Sequence, residues 1–287
     1  MFSFLLLLPV AAGESTWNYE DQANWPEQCH TNSRQSPIDI HDSAVDSSMR
    51  AAGLSFNYGI ARNMSVLLGP HLEGDIHHDE NWHLSGVFGF TNDRYRLAQL
   101  HYHWGSNDST GSEHYLNGNS FPAELHMVHH NMKYSNLSDA VGKEGGIAVL
   151  GILLRVGNNE SAVEALLTSL AENTTAPPVN LAGLIPSDVA TNYYTYNGSF
   201  TTPPCTEHVS WIVAGTELTI SESQLARLRD LTLDGKPVGP NYRVLAPQNE
   251  RRILAGGRNG DSSYSAGPFL SYIVTSLLFL YSACIQL

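Results

Sequence analysis

Short apolar runs alternate with clusters of Gly, Pro, Asn and Asp between residues 14 and 257. The runs are MSVLL (64–68), RLAQLHYHW (96–104), AELHMVHHN (123–131), IAVLGILLRV (147–156) and HVSWIVA (208–214). Their length and their β-branched and aromatic content predict strands. IAVLGILLRV is almost wholly apolar, so it is predicted to be a central strand covered on both faces. Two segments carry helical signals. SAVEALLTSLA (161–171) opens on a Ser-x-x-Glu capping box, and SESQLARLRDL (221–231) opens on Ser-x-x-Gln. No internal repeat and no long linker interrupt this stretch. The pattern predicts one mainly β (α+β) domain with a few short peripheral helices.

The same alternation places chemistry. On a strand, side chains change face with period two. In QLHYHWG (99–105), Gln99, His101 and His103 therefore share a face, and in ELHMVH (124–129) Glu124, His126 and Val128 share one. If the two strands are neighbours, three imidazoles converge. Three neutral His ligands on Zn²⁺ leave one position for water, which separates a catalytic site from a structural one. Gln99 and Glu124 stand two residues before ligands, placed to accept from the far ring N–H of His101 and His126. An HxH pair on its own is a weak signal, and histidines at this spacing often bind nothing. The matching offsets of His126, Gln99 and Glu124 favour the metal.

Composition narrows the partners. The 287 residues carry a formal charge of −13 and no Lys/Arg-rich cluster, which argues against nucleic acid and against electrostatic docking to anionic lipid. Residues 2–12, FSFLLLLPVAA, resemble a signal-peptide core, so residues 1–13 are expected to be a leader; a buried strand is the alternative. The end, PFLSYIVTSLLFLYSACIQL (268–287), is uncharged and follows the small, polar RNGDSSYSAG. That order fits a GPI-attachment signal over 258–287, with lipid transfer near Gly260 to Ser263. A single C-terminal transmembrane helix is the alternative. The expected location is the extracellular face of the plasma membrane. Of three cysteines, Cys284 would leave with the tail, so Cys29 and Cys205 are left either as one disulfide or as two buried thiols. Glycosylation sequons stand at Asn63, Asn107, Asn136, Asn159, Asn173 and Asn197.

RQSPIDI (34–40), QLHYHWGS (99–106), GSEHYLNG (111–118), AELHMVHHN (123–131), AVLGILL (148–154), FTTPPCTEHVSW (200–211) and NYR (241–243) together resemble the α-type carbonic anhydrases, in the family's order. The resemblance spans about residues 17–254. It implies a large, twisted, mostly antiparallel sheet of about ten strands carrying zinc at the floor of a conical cleft. It implies that His101, His103 and His126 bind Zn²⁺, and that the reaction interconverts carbon dioxide with bicarbonate and a proton. Thr201 matches the residue that accepts from the activated water while donating to Glu113. A carboxylate only accepts, so it draws the Thr proton toward itself. Thr201 and Thr202 would hold product oxygens. Val128, Val149, Phe200 and Trp211 would line the apolar wall for CO₂, with Phe200 standing where Leu is usual.

The backbone carbonyl of Asn241 would accept from His103. Continuous alignment from Leu54 to His126 puts His71 at the proton-shuttle position, supported by Tyr19, while Gly69 and Gly74 replace water-ordering asparagines. His77, His78 and His83 read as surface residues. The Cys29–Cys205 pairing resembles that of secreted and membrane-anchored members. Two rival functions are a non-catalytic adhesion or binding module on the same fold and a zinc esterase. No pattern in the chain speaks to oligomeric state.

Overall fold

The computed structural model describes residues 17–77 and 81–257. The expected leader, the expected anchor signal and His78 lie outside them. Among the described residues, eleven strands form one sheet. In chain order they are β1 (Ser55–Asn57), β2 (Met64–Leu68), β3 (Leu72–Ile76), β4 (His83–Ser85), β5 (Arg94–Trp104), β6 (Ala123–Asn131), β7 (Ile147–Val156), β8 (Tyr193–Ser199), β9 (Glu207–Ala214), β10 (Leu218–Ile220) and β11 (Leu254–Ala255). The spatial order is β11-β8-β9-β7-β6-β5-β3-β2; β10 also pairs with β7, and β4 bridges β1 to β5. β7 runs parallel to β9 and to β10, and the other ladders are antiparallel. This is the mainly β, mostly antiparallel single-sheet architecture expected from the sequence.

β7 sits at the centre, and its first eight residues are buried. No strand residue there meets water on either face, which is why the sequence shows no alternation. The helices α1 (Ser161–Glu172) and α2 (Glu222–Arg229) are peripheral. α2 starts as predicted, on Ser221 with a reciprocal capping box to Gln224. α1 does not. Its N-cap is Glu160, whose carboxylate accepts from the N–H groups of Ala162 and Val163 at 2.9 and 2.6 Å. The Ser161 capping box is thereby corrected: a buried carboxylate satisfies the first-turn donors and also accepts from the Tyr102 hydroxyl at 2.6 Å.

The sheet divides the interior. The larger core includes Leu100, Tyr102, Trp104, Leu125, Met127, Leu150 and Ile152, with α1 residues Val163 and Leu166. The smaller core, on the other face, holds Ile38, Ile40, Val128, Val149, Tyr196, Val209 and Trp211, with Phe200 packed against it. A bulge between Leu97 and Gln99 shifts the phase of β5, so that from Gln99 onward its odd-numbered positions face this second side, as do the even-numbered positions of β6, and these carry the histidines.

Candidate metal centre

β5 and β6 are neighbours, and their register sets the cluster. His101 stands directly opposite His126, Gln99 opposite Val128, and His103 opposite Glu124. Side chains directly opposite in a ladder lie about 5 Å apart at Cβ, within reach of a shared ion. His126 Nδ1 lies 3.0 Å from His103 Nε2 and 3.3 Å from His101 Nε2. All three residues are buried.

The outer ring nitrogens decide what the inner ones offer. His101 Nδ1–H donates to Gln99 Oε1 at 2.7 Å, His103 Nδ1–H to the Asn241 carbonyl at 2.7 Å, and His126 Nε2–H to Glu124 Oε1 at 2.8 Å. All three partners are the ones expected from the sequence. Each outer nitrogen carries its hydrogen, so each inner nitrogen presents a lone pair. Burial, with mutual repulsion of the rings at His101 and His103, pushes these imidazoles below their usual range. Three buried lone pairs about 3 Å apart with no proton between them fit a cation, and three imidazoles suit zinc.

Glu124 is fixed by four donors. Oε2 accepts the N–H groups of Glu113 and His114 at 2.8 and 2.7 Å; Oε1 accepts His114 Nδ1 and His126 Nε2, both at 2.8 Å. Burial works to raise its carboxyl, but the charge and hydrogen bonding of the His114 and His126 rings outweigh it and hold the group well below the usual range. Gly151 faces it across β6–β7, where a Cβ would sit 2.8 Å from Oε1. His114 Nε2 in turn lies 2.7 Å from the Tyr196 hydroxyl, and the Trp211 ring stacks edge-on 4.8 Å from His126.

Glu113 is fully buried, which pushes its carboxyl well above the usual range, while hydrogen bonding from Thr201 pulls it back. Its Oε1 accepts the Arg243 N–H at 2.8 Å. Its Oε2 has no well-formed hydrogen-bond partner and faces His103 and His126 at 3.5 and 3.9 Å. Thr201 is buried and Thr202 half-buried on the loop between β8 and β9. That loop is closed by the Cys205 N–H to the Thr202 carbonyl at 2.8 Å and is tied to the N-terminal segment by the Cys29–Cys205 disulfide. Val128, Val149 and Trp211 lie side by side across β6, β7 and β9, buried, with Phe200 at their edge.

His71 sits beside the triad, its ring centroid 4.9 and 4.7 Å from those of His101 and His103. Its Nε2 bonds directly to the Tyr19 hydroxyl at 2.5 Å, and burial with the His126 ring pushes it down to about 3. Ligating atoms also group as His71, His101 and His103, and as His103, Glu113 and His126. His77 is exposed and His83 half-exposed. One expectation is corrected. Gly74 does not face the site; a Cβ there would point into the larger core, 3.0 Å from Leu166 and 3.6 Å from Met64. His71, just before β3, and Glu73 and Asp75 on it face that side instead, because Leu72, Gly74 and Ile76 are the buried alternates.

Sequence reasoning passed over His114, Arg243 and Glu73. His114 and Arg243 stand inside motifs already recognised, beside Glu113 and Asn241, and a carboxylate as enclosed as Glu113 requires such partners. Glu73 was legible from the alternation that starts at His71. The six sequon asparagines are all exposed.

Residues 12–257 match the family model described as eukaryotic-type carbonic anhydrase, and the chain belongs to that family. Zinc is the metal of this family, and the triad fits it. Similar proteins include carbonic anhydrase 1 of Oryctolagus cuniculus, 35% identical over 234 residues, which are 77% of this chain and 98% of the relative. Carbonic anhydrase 1 of Mus musculus is 36% identical over 260 residues, covering 83% and 97%. Mitochondrial carbonic anhydrase 5A of Rattus norvegicus is 35% identical over 235 residues, covering 77% and 76%.

Proposed function

We propose that the chain catalyses reversible hydration of carbon dioxide to bicarbonate and a proton, at the extracellular face of the membrane, with His101, His103 and His126 holding Zn²⁺. The observation that carries it is the acceptor behind every ring: Gln99, Asn241 and Glu124 leave three lone pairs converging on one point. Zinc bound there supplies an activated water and a positive charge for the product oxygens.

The chain's own residues do the rest. Thr201 spends its hydrogen on Glu113, so it offers the attacking water only lone pairs and orients it. Thr202, on the same loop, receives product oxygens. Val128, Val149, Phe200 and Trp211 give an uncharged substrate a dry wall beside His126. His71 carries the proton outward: held by Tyr19 it is kept neutral by burial, and on swinging to solvent its basicity returns to the ordinary imidazole range. Replacing Thr201 with Ala removes the orienting oxygen and is expected to lower CO₂ hydration about 100-fold with zinc retained. Unchanged hydration would discard the Thr201–Glu113 role.

The location rests on sequence ends that fit a leader and a GPI signal, on the Cys29–Cys205 disulfide, which belongs to oxidising compartments, and on the exposed sequons. Phosphatidylinositol-specific phospholipase C is expected to release the protein from intact cells. Retention on the membrane after treatment would point to the transmembrane alternative.

A further inference from the structure

We propose that Glu73 is a positioning residue for the metal centre, fixing the amide of Gln99 so that its oxygen faces His101. This rests on the reading of His101 as a zinc ligand. A glutamine amide has an oxygen and an NH₂ of nearly equal size, so alone it presents either to a histidine. Presenting NH₂ would force His101 into the tautomer with its hydrogen on Nε2, the atom that meets the metal. Such a ring cannot ligate.

The structure removes that freedom. Gln99 Nε2 donates to Glu73 Oε2 at 3.2 Å, while Oε1 accepts from His101 Nδ1 at 2.7 Å. The Glu73 oxygen that meets the amide accepts its N–H, which turns the NH₂ away from His101 and leaves the amide oxygen on the ring. Backbone geometry holds the arrangement. β3 pairs with β5 so that Glu73 lies opposite His101 and Asp75 opposite Gln99. The β2–β3 hairpin fixes that register, and the burial of Leu72, Gly74 and Ile76 in the larger core prevents a one-residue slip. Asn241 holds the turn before β3 as well, donating to the Pro70 carbonyl at 3.1 Å, so the strand that bears Glu73 is tied to the segment that orients His103.

The test reads zinc release from the purified, zinc-loaded protein into a chelator, not activity. Because metal ligation falls when an outer hydrogen-bond partner is lost, Gln99→Ala is expected to speed release about 10-fold, and Glu73→Ala about 3- to 10-fold. In the double variant, Glu73→Ala is expected to add nothing to Gln99→Ala, since the carboxylate acts only through the amide. Glu73→Gln can turn either its oxygen or its NH₂ toward Gln99, so release is expected to fall between that of the parent and that of Glu73→Ala; release as fast as in Glu73→Ala would count against an acceptor role. Unchanged release in Glu73→Ala would overturn the proposal. So would an equal acceleration in the Gln99→Ala background, which would mark a general charge or packing effect. A parent protein that binds no zinc would instead sink the ligand assignment itself. Glu73 and Gln99 are both half-exposed, so the alanine variants leave the core intact, which thermal unfolding verifies.

Discussion

Replacing Glu124 with Gln changes one oxygen to NH₂ and almost nothing else in shape. Glu124 is enclosed and accepts four hydrogen bonds, two on each oxygen. With the amide oxygen kept toward His114 and His126, the NH₂ confronts the backbone N–H groups of Glu113 and His114. With the amide turned over, the NH₂ confronts the two rings, and His126 must move its hydrogen to Nδ1, the nitrogen facing the other ligands. Either way two buried donors lose their acceptor. At about 1–3 kcal/mol each, the cost is roughly 2–6 kcal/mol of folding stability. Zinc affinity is expected to fall about 10- to 100-fold, because the ring is no longer oriented by a carboxylate. Urea unfolding of the zinc-free protein reads the first quantity, and chelator competition reads the second. Stability within about 0.5 kcal/mol of the parent, with unchanged zinc affinity, would refute the network reasoning.

Gly151→Ala approaches the same carboxylate from behind. Its Cβ would meet Glu124 Oε1 at 2.8 Å, so zinc affinity measured by chelator competition should fall about 10-fold without any ligand being touched. Cys29→Ser opens a loop of 176 residues, worth about 5 kcal/mol in the chain-entropy account. Calorimetry should show a melting temperature roughly 10–20 °C lower, and an unchanged value would mean the loop is held by packing alone. His129 lies away from the metal, buried, with its imidazole pushed down to about 3 by desolvation. Its folded pKa is below the unfolded value, so the unfolded chain binds more protons; its contribution is complete above about pH 6.5 and is lost as pH falls toward 3. The full term is roughly 4–5 kcal/mol. His129→Gln should therefore flatten the decline of unfolding free energy from about pH 6.5 to 4, measured in urea; a parallel decline would contradict it.

The strands that carry the site were legible because their sequences are extreme. AELHMVHHN and IAVLGILLRV match the strand bounds Ala123–Asn131 and Ile147–Val156. Period-two alternation gave Gln99 and Glu124 their roles, since both partners are local in sequence. What local pattern cannot supply is the phase of a strand against its neighbours. Continuous alignment around His71 suggested that position 74 faces the site, whereas the buried Leu72 and Ile76 turn Gly74 inward and bring Glu73 out. The cap of α1 failed for a similar reason. Ser161-x-x-Glu is a capping signal in local sequence, whereas Glu160 caps the helix because its carboxylate is held in the interior, where the Tyr102 hydroxyl reaches across from the sheet. The Asn241 carbonyl behind His103 lies 138 residues away in the chain, and only the family resemblance pointed to it.

In the proposed function, His101, His103 and His126 hold a zinc that hydrates carbon dioxide. Stopped-flow CO₂ hydration on the purified protein, paired with zinc content, tests it most directly. One zinc per chain is expected, with loss of hydration when a chelator removes it, recovery on adding zinc back, and loss of both metal and activity in His101→Ala. Hydration that persists in zinc-free protein, or a fully zinc-loaded protein without hydration, would contradict it.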